Sequence, residues 1–157
     1  AGATFALAAA QAGLKVVIVD PQPFSDQLAP TFDGRSTAVA FSTFRMLDVL
    51  GVGEVLRPHA CRMDHILVTD GRRPGAAEKP ASSAFLRFDA AEIADRNGGE
   101  PLGYMVENRH IRAALAQAIA VSDIEVRAPA SVSTVAVDAV GATVTQADGA
   151  VLTAPLV

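Results

Sequence analysis

Asp20 closes an apolar, largely β-branched run, Lys15-Val16-Val17-Ile18-Val19, and stands eighteen residues after Gly2. That interval is close to the ~20 residues that separate a glycine-rich phosphate turn from a ribose-binding acid in dinucleotide-binding chains. A carboxylate at a strand end accepts ribose hydroxyls. A glycine at the mouth of a helix lets either a pyrophosphate or a neighbouring strand approach the backbone. On spacing alone Gly2 fits the last glycine of a G-x-G-x-x-G turn whose first two glycines are absent from this sequence. A plain tight turn is the competing reading for Gly2, and a solvated strand-end acid for Asp20.

Two further stretches carry chemistry. Arg35 sits in Asp33-Gly34-Arg35-Ser36, at the expected entrance to a helix. An arginine there can grip a phosphate or a flavin carbonyl with its planar fork, or serve as an ordinary surface cation. Glu107-Asn108-Arg109 falls at an expected strand-to-helix junction, the edge at which α/β sheets meet ligands. Its bland alternative is an Asn108 cap beside a surface ion pair. His59, His65 and His110 show no metal-ligand spacing, and His65 is expected to be a partly buried structural residue. Cys61 has no base partner in sequence and is expected to be inert. No Ser-His-Asp arrangement or Walker loop is present, and Ala147-Asp148-Gly149 reads as a hairpin turn.

The elements that must position these residues follow from periodicity and punctuation. Residues 2–12 form a small-residue helix stopped by Gly13, and 15–19 a strand buried on both faces. Prolines and Asp26, Asp33 and Gly34 mark 21–34 as loop. Ser36 is expected to cap a helix over 37–50, ended by Gly51, with a brief continuation at Val55-Leu56 that Pro58 breaks. A strand at 65–69 runs into an Asp70-Gly71 turn, a loop follows over 72–83, and a second strand at 84–88 pairs with the first. Residues 89–101 are loop with one helical turn. A strand at 102–107, an amphipathic helix from Asn108 to about Val121 and a strand at 124–127 come next. Strands at 132–137, 142–145 and 151–157 complete a meander. This order predicts an α/β chain with an added antiparallel piece.

Composition narrows the function. The 157 residues, half of them hydrophobic, suffice for one domain with a core. The net charge of −4 and the isolated Arg72-Arg73 pair argue against nucleic acid. A single cysteine excludes a disulfide framework, and no apolar run reaches the ~20 residues of a membrane helix. The chain starts at Ala1 and ends in an apolar run, and both ends are expected to be cuts through secondary structure of a longer protein.

These stretches resemble the ubiquinone-biosynthesis hydroxylases, within the class A flavin-dependent aromatic monooxygenases that include p-hydroxybenzoate hydroxylase. Ala1-Gly2-Ala3-Thr4-Phe5-Ala6-Leu7 is similar to the end of the family's FAD turn. Asp33 to Ala40 is similar to its arginine motif. Leu102-Gly103-Tyr104-Met105-Val106-Glu107-Asn108-Arg109 is the most specific match, and 147–157 resembles the hairpin leading to a second FAD motif. The resemblance implies a Rossmann-like FAD-binding domain, truncated at both ends, with an added antiparallel β-meander and part of a β-sheet substrate region. Residues 1–157 form the partial FAD domain, and 62–105 include a strand pair on the substrate side. By position, Gly2 lies at the FAD pyrophosphate and Asp20 on the adenosine ribose. Arg35 and Arg109 face the flavin's phosphate and ring side, with Asn108 beside them.

The resemblance further implies an enzyme that reduces FAD with NAD(P)H and passes oxygen from O2, through a flavin C4a-hydroperoxide, to a polyprenyl phenol or quinol. It implies a cytoplasmic location, peripheral to the inner membrane or attached to a quinone-synthesis complex. No catalytic side chain is assigned, because the oxidising chemistry belongs to the cofactor. Another FAD- or NAD-dependent oxidoreductase, or a non-catalytic accessory subunit of a quinone-synthesis complex, remains an alternative, since fold does not set function.

Overall fold

The structure is a computed structural model that describes residues 1–68 and 86–157. Helix α1 (Gly2–Gln11) leads through a short link into strand β1 (Val17–Val19). Its buried face is Ala3, Ala6, Leu7 and Ala10, spaced three and four apart. Gly13, at φ 82°, ends the helix. The Gly13 and Leu14 amides turn back to the Ala10 and Ala9 carbonyls, a paired C-terminal closure that satisfies the last free acceptors.

Helix α2 (Ser25–Leu28) interrupts the stretch expected to be loop, and it packs on the last long helix. Strand β2 (Ser36–Ala40) corrects the expectation of a helix capped by Ser36. Helix α3 (Phe41–Val49) starts four residues later than that cap implies, and Gly51, at φ 76°, closes it as expected. The physical reason is non-local. Ser36–Ala40 pairs along its whole length with β6 (Gly103–Glu107), and a helix cannot offer that ladder.

Helix α4 (Gly53–Leu56) and a 3-10 turn, Arg57–His59, run past Pro58 into strand β3 (Ala60–Met63). That strand was not anticipated, because its four residues lack an alternating pattern. Strands β4 (His65–Val68) and β5 (Leu86–Asp89) pair antiparallel, as expected. The Asp70-Gly71 turn, the 72–83 loop with Arg72-Arg73, and Ala84 and Phe85 lie outside the described residues. His65 is exposed rather than partly buried, and its Nδ1 sits 3.3 Å from Asp89 Oδ2.

A 3-10 turn (Ala90–Ile93) and helix α5 (Ala94–Asn97) lead to β6, the centre of an antiparallel sheet ordered β2-β6-β3. Helix α6 (Asn108–Ala120) follows directly, then β7 (Glu125–Arg127), which pairs parallel with β1. Strands β8 (Val132–Val137), β9 (Ala142–Gln146) and β10 (Val151–Ala154) form the expected meander. Its last strand stops at Ala154, ahead of Pro155, rather than running on to Val157. The core joins α1, α3, α4 and α6 to β6 through Leu7, Phe44, Leu56, Val106, Leu115 and Ile119. Strand β1 is less covered than expected. Ile18 packs on this core, but Val17 is exposed, because β7 is its single strand neighbour among the described residues.

Candidate functional site

Connectivity brings the predicted residues to one edge. α1 precedes β1 and α6 precedes the parallel β7, each across a short link, so both helices run opposite to their strands. Both helix N-termini therefore lie at the edge where β1 and β7 end. The two helices also pack on each other.

Gly2 is the first residue of α1, whose opening amides have no intrahelical acceptor. A Cβ built on Gly2 meets no atom within 4 Å, so no neighbouring strand of the described residues requires a glycine there. Asp20 lies at the end of β1, as expected. Its amide donates to the Arg127 carbonyl at 3.1 Å, its carbonyl accepts from the Ala130 amide at 2.8 Å, and its Oδ1 accepts from the Gln22 amide at 2.8 Å. These bonds fix the backbone on both sides and leave Oδ2 for an outside donor. A cavity of about 220 Å³ begins at the next residue, lined by Pro21, Pro129, Ser131 and Asp148 but not by Asp20 itself.

Arg35 precedes a strand, not a helix, which corrects its expected placement. Its Nε and Nη2 both donate to Asp33 Oδ2, at 3.0 and 2.7 Å, in an exposed pair. That partner holds the Asp33 carboxyl below the usual carboxylate range, with the Arg35 side-chain bond the leading cause. The Arg35 carbonyl accepts from the Asn108 amide at 3.0 Å, which clips the start of β2 to the start of α6.

Asn108 is likewise corrected. It is the first helical residue, preceded by Glu107 as the cap position, and its carboxamide oxygen accepts from the Thr37 hydroxyl instead of a helix amide. Arg109 donates through Nε to Glu107 Oε2 at 2.6 Å, and its guanidinium carbon lies 5.2 Å from the centre of the Phe32 ring. Its terminal nitrogens make no hydrogen bond among the described residues. One turn on, Arg112 Nε donates to Gln27 Oε1 at 2.9 Å and anchors α2 to α6.

The structure thus joins Arg35 to Asn108 through one backbone hydrogen bond, with Arg109 the next residue of α6, and brings Gly2 and Asp20 to the same edge. Sequence reasoning missed the supporting residues: Asp33, Thr37, Phe32 and Gln27. Only Asp33 carried a local signal, an acid two residues before an arginine. A larger cavity of about 1150 Å³ lies at the other end of α1 and α6, lined by Leu14, Val17, Leu50, Val55 and Val121. Its lining is mixed, with Gln11, Lys15, Asp123 and Glu125 beside the apolar residues, and it holds none of the predicted residues, so the candidate site is the opposite edge. Among the described residues no group of acids, histidines and cysteines is arranged to hold a metal ion, and no helix is long and apolar enough to cross a membrane.

No protein-family model matches the chain. A curated relative, ubiquinone hydroxylase UbiL of Rhodospirillum rubrum, is 32% identical over 157 residues, covering 99% of this chain and 33% of the relative. The chain therefore spans about a third of that protein's length. Among solved structures, p-nitrophenol 4-monooxygenase PnpA of Pseudomonas putida superposes with a TM-score of 0.66 at 21% identity, covering 99% of this chain and 36% of that one. A variant of HpxO from Klebsiella pneumoniae, complexed with FAD, superposes with a TM-score of 0.63 at 16% identity, over 99% and 35% of the two chains. These structures share the mixed helix and strand fold. The resemblance to the ubiquinone-biosynthesis hydroxylases, read from four stretches of sequence, is matched by the curated relative along essentially the whole chain.

Proposed function

We propose that this chain is part of an FAD-dependent monooxygenase that hydroxylates an aromatic ring, of the ubiquinone-biosynthesis hydroxylase type. In this reading 1–157 is a partial Rossmann-like FAD-binding domain, and the strand pair within 62–105 belongs to the substrate side. The observation that carries it is the convergence of two helix N-termini and a strand-end acid on one sheet edge. Two positive dipole ends favour a diphosphate, and the acid suits a ribose.

The residues fit the cofactor. Gly2 leaves open space above the first turn of α1, where a pyrophosphate can meet free amides. Asp20 keeps a carboxylate oxygen for the ribose. Arg109 has terminal nitrogens with no hydrogen bond among the described residues, available to the phosphate and ring side, with Asn108 beside it and Arg35 on the adjoining strand end. FAD, when bound and reduced by NAD(P)H, supplies the redox chemistry that activates O2 for transfer to the ring. The chain's own part is to bind and orient the cofactor and to neutralise its phosphates. The name of the curated relative supports a polyprenyl phenol or quinol of ubiquinone biosynthesis as substrate, and such a substrate calls for contact with a membrane surface or a quinone-synthesis complex.

The test is flavin binding and product analysis on the complete natural protein. We expect a yellow protein that consumes NAD(P)H and incorporates label from isotopic O2 into a phenol. Asp20→Ala is expected to raise the dissociation constant of FAD about tenfold, the loss of roughly one good hydrogen-bonding pair. A complete protein that purifies colourless and binds no added FAD overturns the reading in favour of an accessory subunit. A dehydrogenated product without labelled oxygen assigns it to another class of flavin oxidoreductase.

A further inference from the structure

Arg109 is held on two sides, by the carboxylate of Glu107 at 2.6 Å and by the face of Phe32. The same Glu107 oxygen lies 3.6 Å from His110 Nε2. The His110 ring is in turn stacked on His59, with centroids 3.8 Å apart and planes 4° apart. His59 comes from the 3-10 turn before β3, so the stack ties the first turn of α6 to a separate part of the fold. Neither histidine has a role in the cofactor reading above.

We propose that Glu107 and the His59–His110 stack position Arg109, fixing the direction in which its terminal nitrogens meet an anionic group of the bound dinucleotide. The inference rests on the FAD reading for the identity of that anion. An unrestrained arginine samples many rotamers and must lose them on binding, whereas one already clamped through Nε does not. The clamp leaves the outer edge of the fork free. Arg35, by contrast, has spent both Nε and Nη2 on Asp33.

The arrangement is sensitive to acid. The stack brings two imidazoles face to face, and two imidazolium rings repel. His110 is held below its ordinary value by partial burial first, then by His59 and Arg109, with Glu107 opposing. The groups facing it are Glu107 from β6, Arg109 from its own helix and His59 from the turn; Arg57 on that turn is paired with Asp48 and Glu54. Because the folded value is depressed, the unfolded chain binds more protons as pH falls below about 6.5. The contribution of neutral His110 is therefore complete above that pH and is lost as pH falls through the folded value. Protonated His110 then competes with Arg109 for the one Glu107 oxygen, and the clamp loosens.

The experiment uses the complete protein and measures FAD affinity by flavin fluorescence between about pH 5 and 8, the histidine range. In the flavin-free protein the Arg109 Nε–H resonance is followed by NMR. His59→Ala is expected to weaken FAD binding about five- to tenfold at the upper pH, a coupling typical of contacting residues. His59→Phe, which keeps a stacked ring but no second titrating group, is expected to restore affinity and to reduce the acid loss. Glu107→Gln is expected to shift the Arg109 resonance and weaken binding. Wild-type affinity at every pH in His59→Ala, with an unmoved Arg109 resonance, overturns the proposal. If the wild-type protein binds no FAD, the FAD reading fails, and the response of the Arg109 resonance to His59→Ala still decides the positioning role.

Discussion

Gln146 is 4% exposed, and its Nε2 has no hydrogen-bond partner among the described residues. A buried amide without a partner costs stability, so a side chain of similar shape without polar atoms is the better occupant. Gln146→Leu is expected to stabilise the protein by about 1–2 kcal/mol, read as a higher urea midpoint with an unchanged slope. The same attention to individual polar atoms separates the two arginines. Arg35 is exposed and committed to Asp33, and Arg109 is half-buried and clamped through one nitrogen. Arg109→Ala is expected to raise the FAD dissociation constant about tenfold or more, and Arg35→Ala by less, in fluorescence titrations on the complete protein. From sequence alone the two arginines looked equivalent. The difference is set by partners two residues away in each case, and side-chain direction is not legible from spacing.

At the scale of elements, glycine punctuation was the most legible signal. Gly13 and Gly51 both adopt positive φ at helix ends, and a Cβ at either meets no atom within 4 Å. Alanine at either position therefore suffers backbone strain alone, roughly 1–2 kcal/mol. Gly103, in the middle strand β6, is different: a Cβ there would lie 2.5 Å from the Val39 carbonyl oxygen. Gly103→Ala must part β2 from β6. It is expected to cost more than Gly13→Ala in denaturant midpoint and to disturb the Arg35–Asn108 clip at the far end of the same ladder. Helix and strand signals were less legible where one ran into the next. Thr37 to Leu50 carries apolar residues at mostly helical spacing, yet its first part is strand, because the hydrogen-bonding edge of β6 stands beside it. Likewise, Asn108 has the residue type of a cap, but Thr37 captures its carboxamide and the helix begins one residue early.

At the scale of the whole molecule, Phe44 joins the layers. Its ring centroid lies 4.3 Å from that of Tyr104 on β6, and the Arg57 guanidinium covers it at 5.3 Å. It is 1% exposed. Phe44→Ala is expected to destabilise by about 3–5 kcal/mol, the range for a large aromatic lost from a packed core, and to loosen the sheet whose strands β2 and β6 adjoin Arg35 and the start of α6. A thermal or urea melt of the complete protein checks this. The mixed helix and strand class and the strand order around α6 were readable in advance, because long periodic segments and glycine stops are local properties. The joining of a small parallel pair to a separate antiparallel sheet through one helical layer was not.

Sequence by itself put forward the candidate positions, Gly2, Asp20, Arg35, Asn108 and Arg109 in their stretches, and the family those stretches resemble. Residue type and interval suffice there, since a glycine, a strand-end acid and an arginine motif each carry their meaning within a few neighbours. Tertiary structure alone decided which of them have hands free. It turned the segment after Arg35 into a strand, bound Arg35 to Asp33, clamped Arg109 between Glu107 and Phe32, and laid His59 on His110. Each of these depends on pairing or stacking between groups brought together by the fold, and on the rotamers that packing permits. Neither is written in the order of residues along a single element.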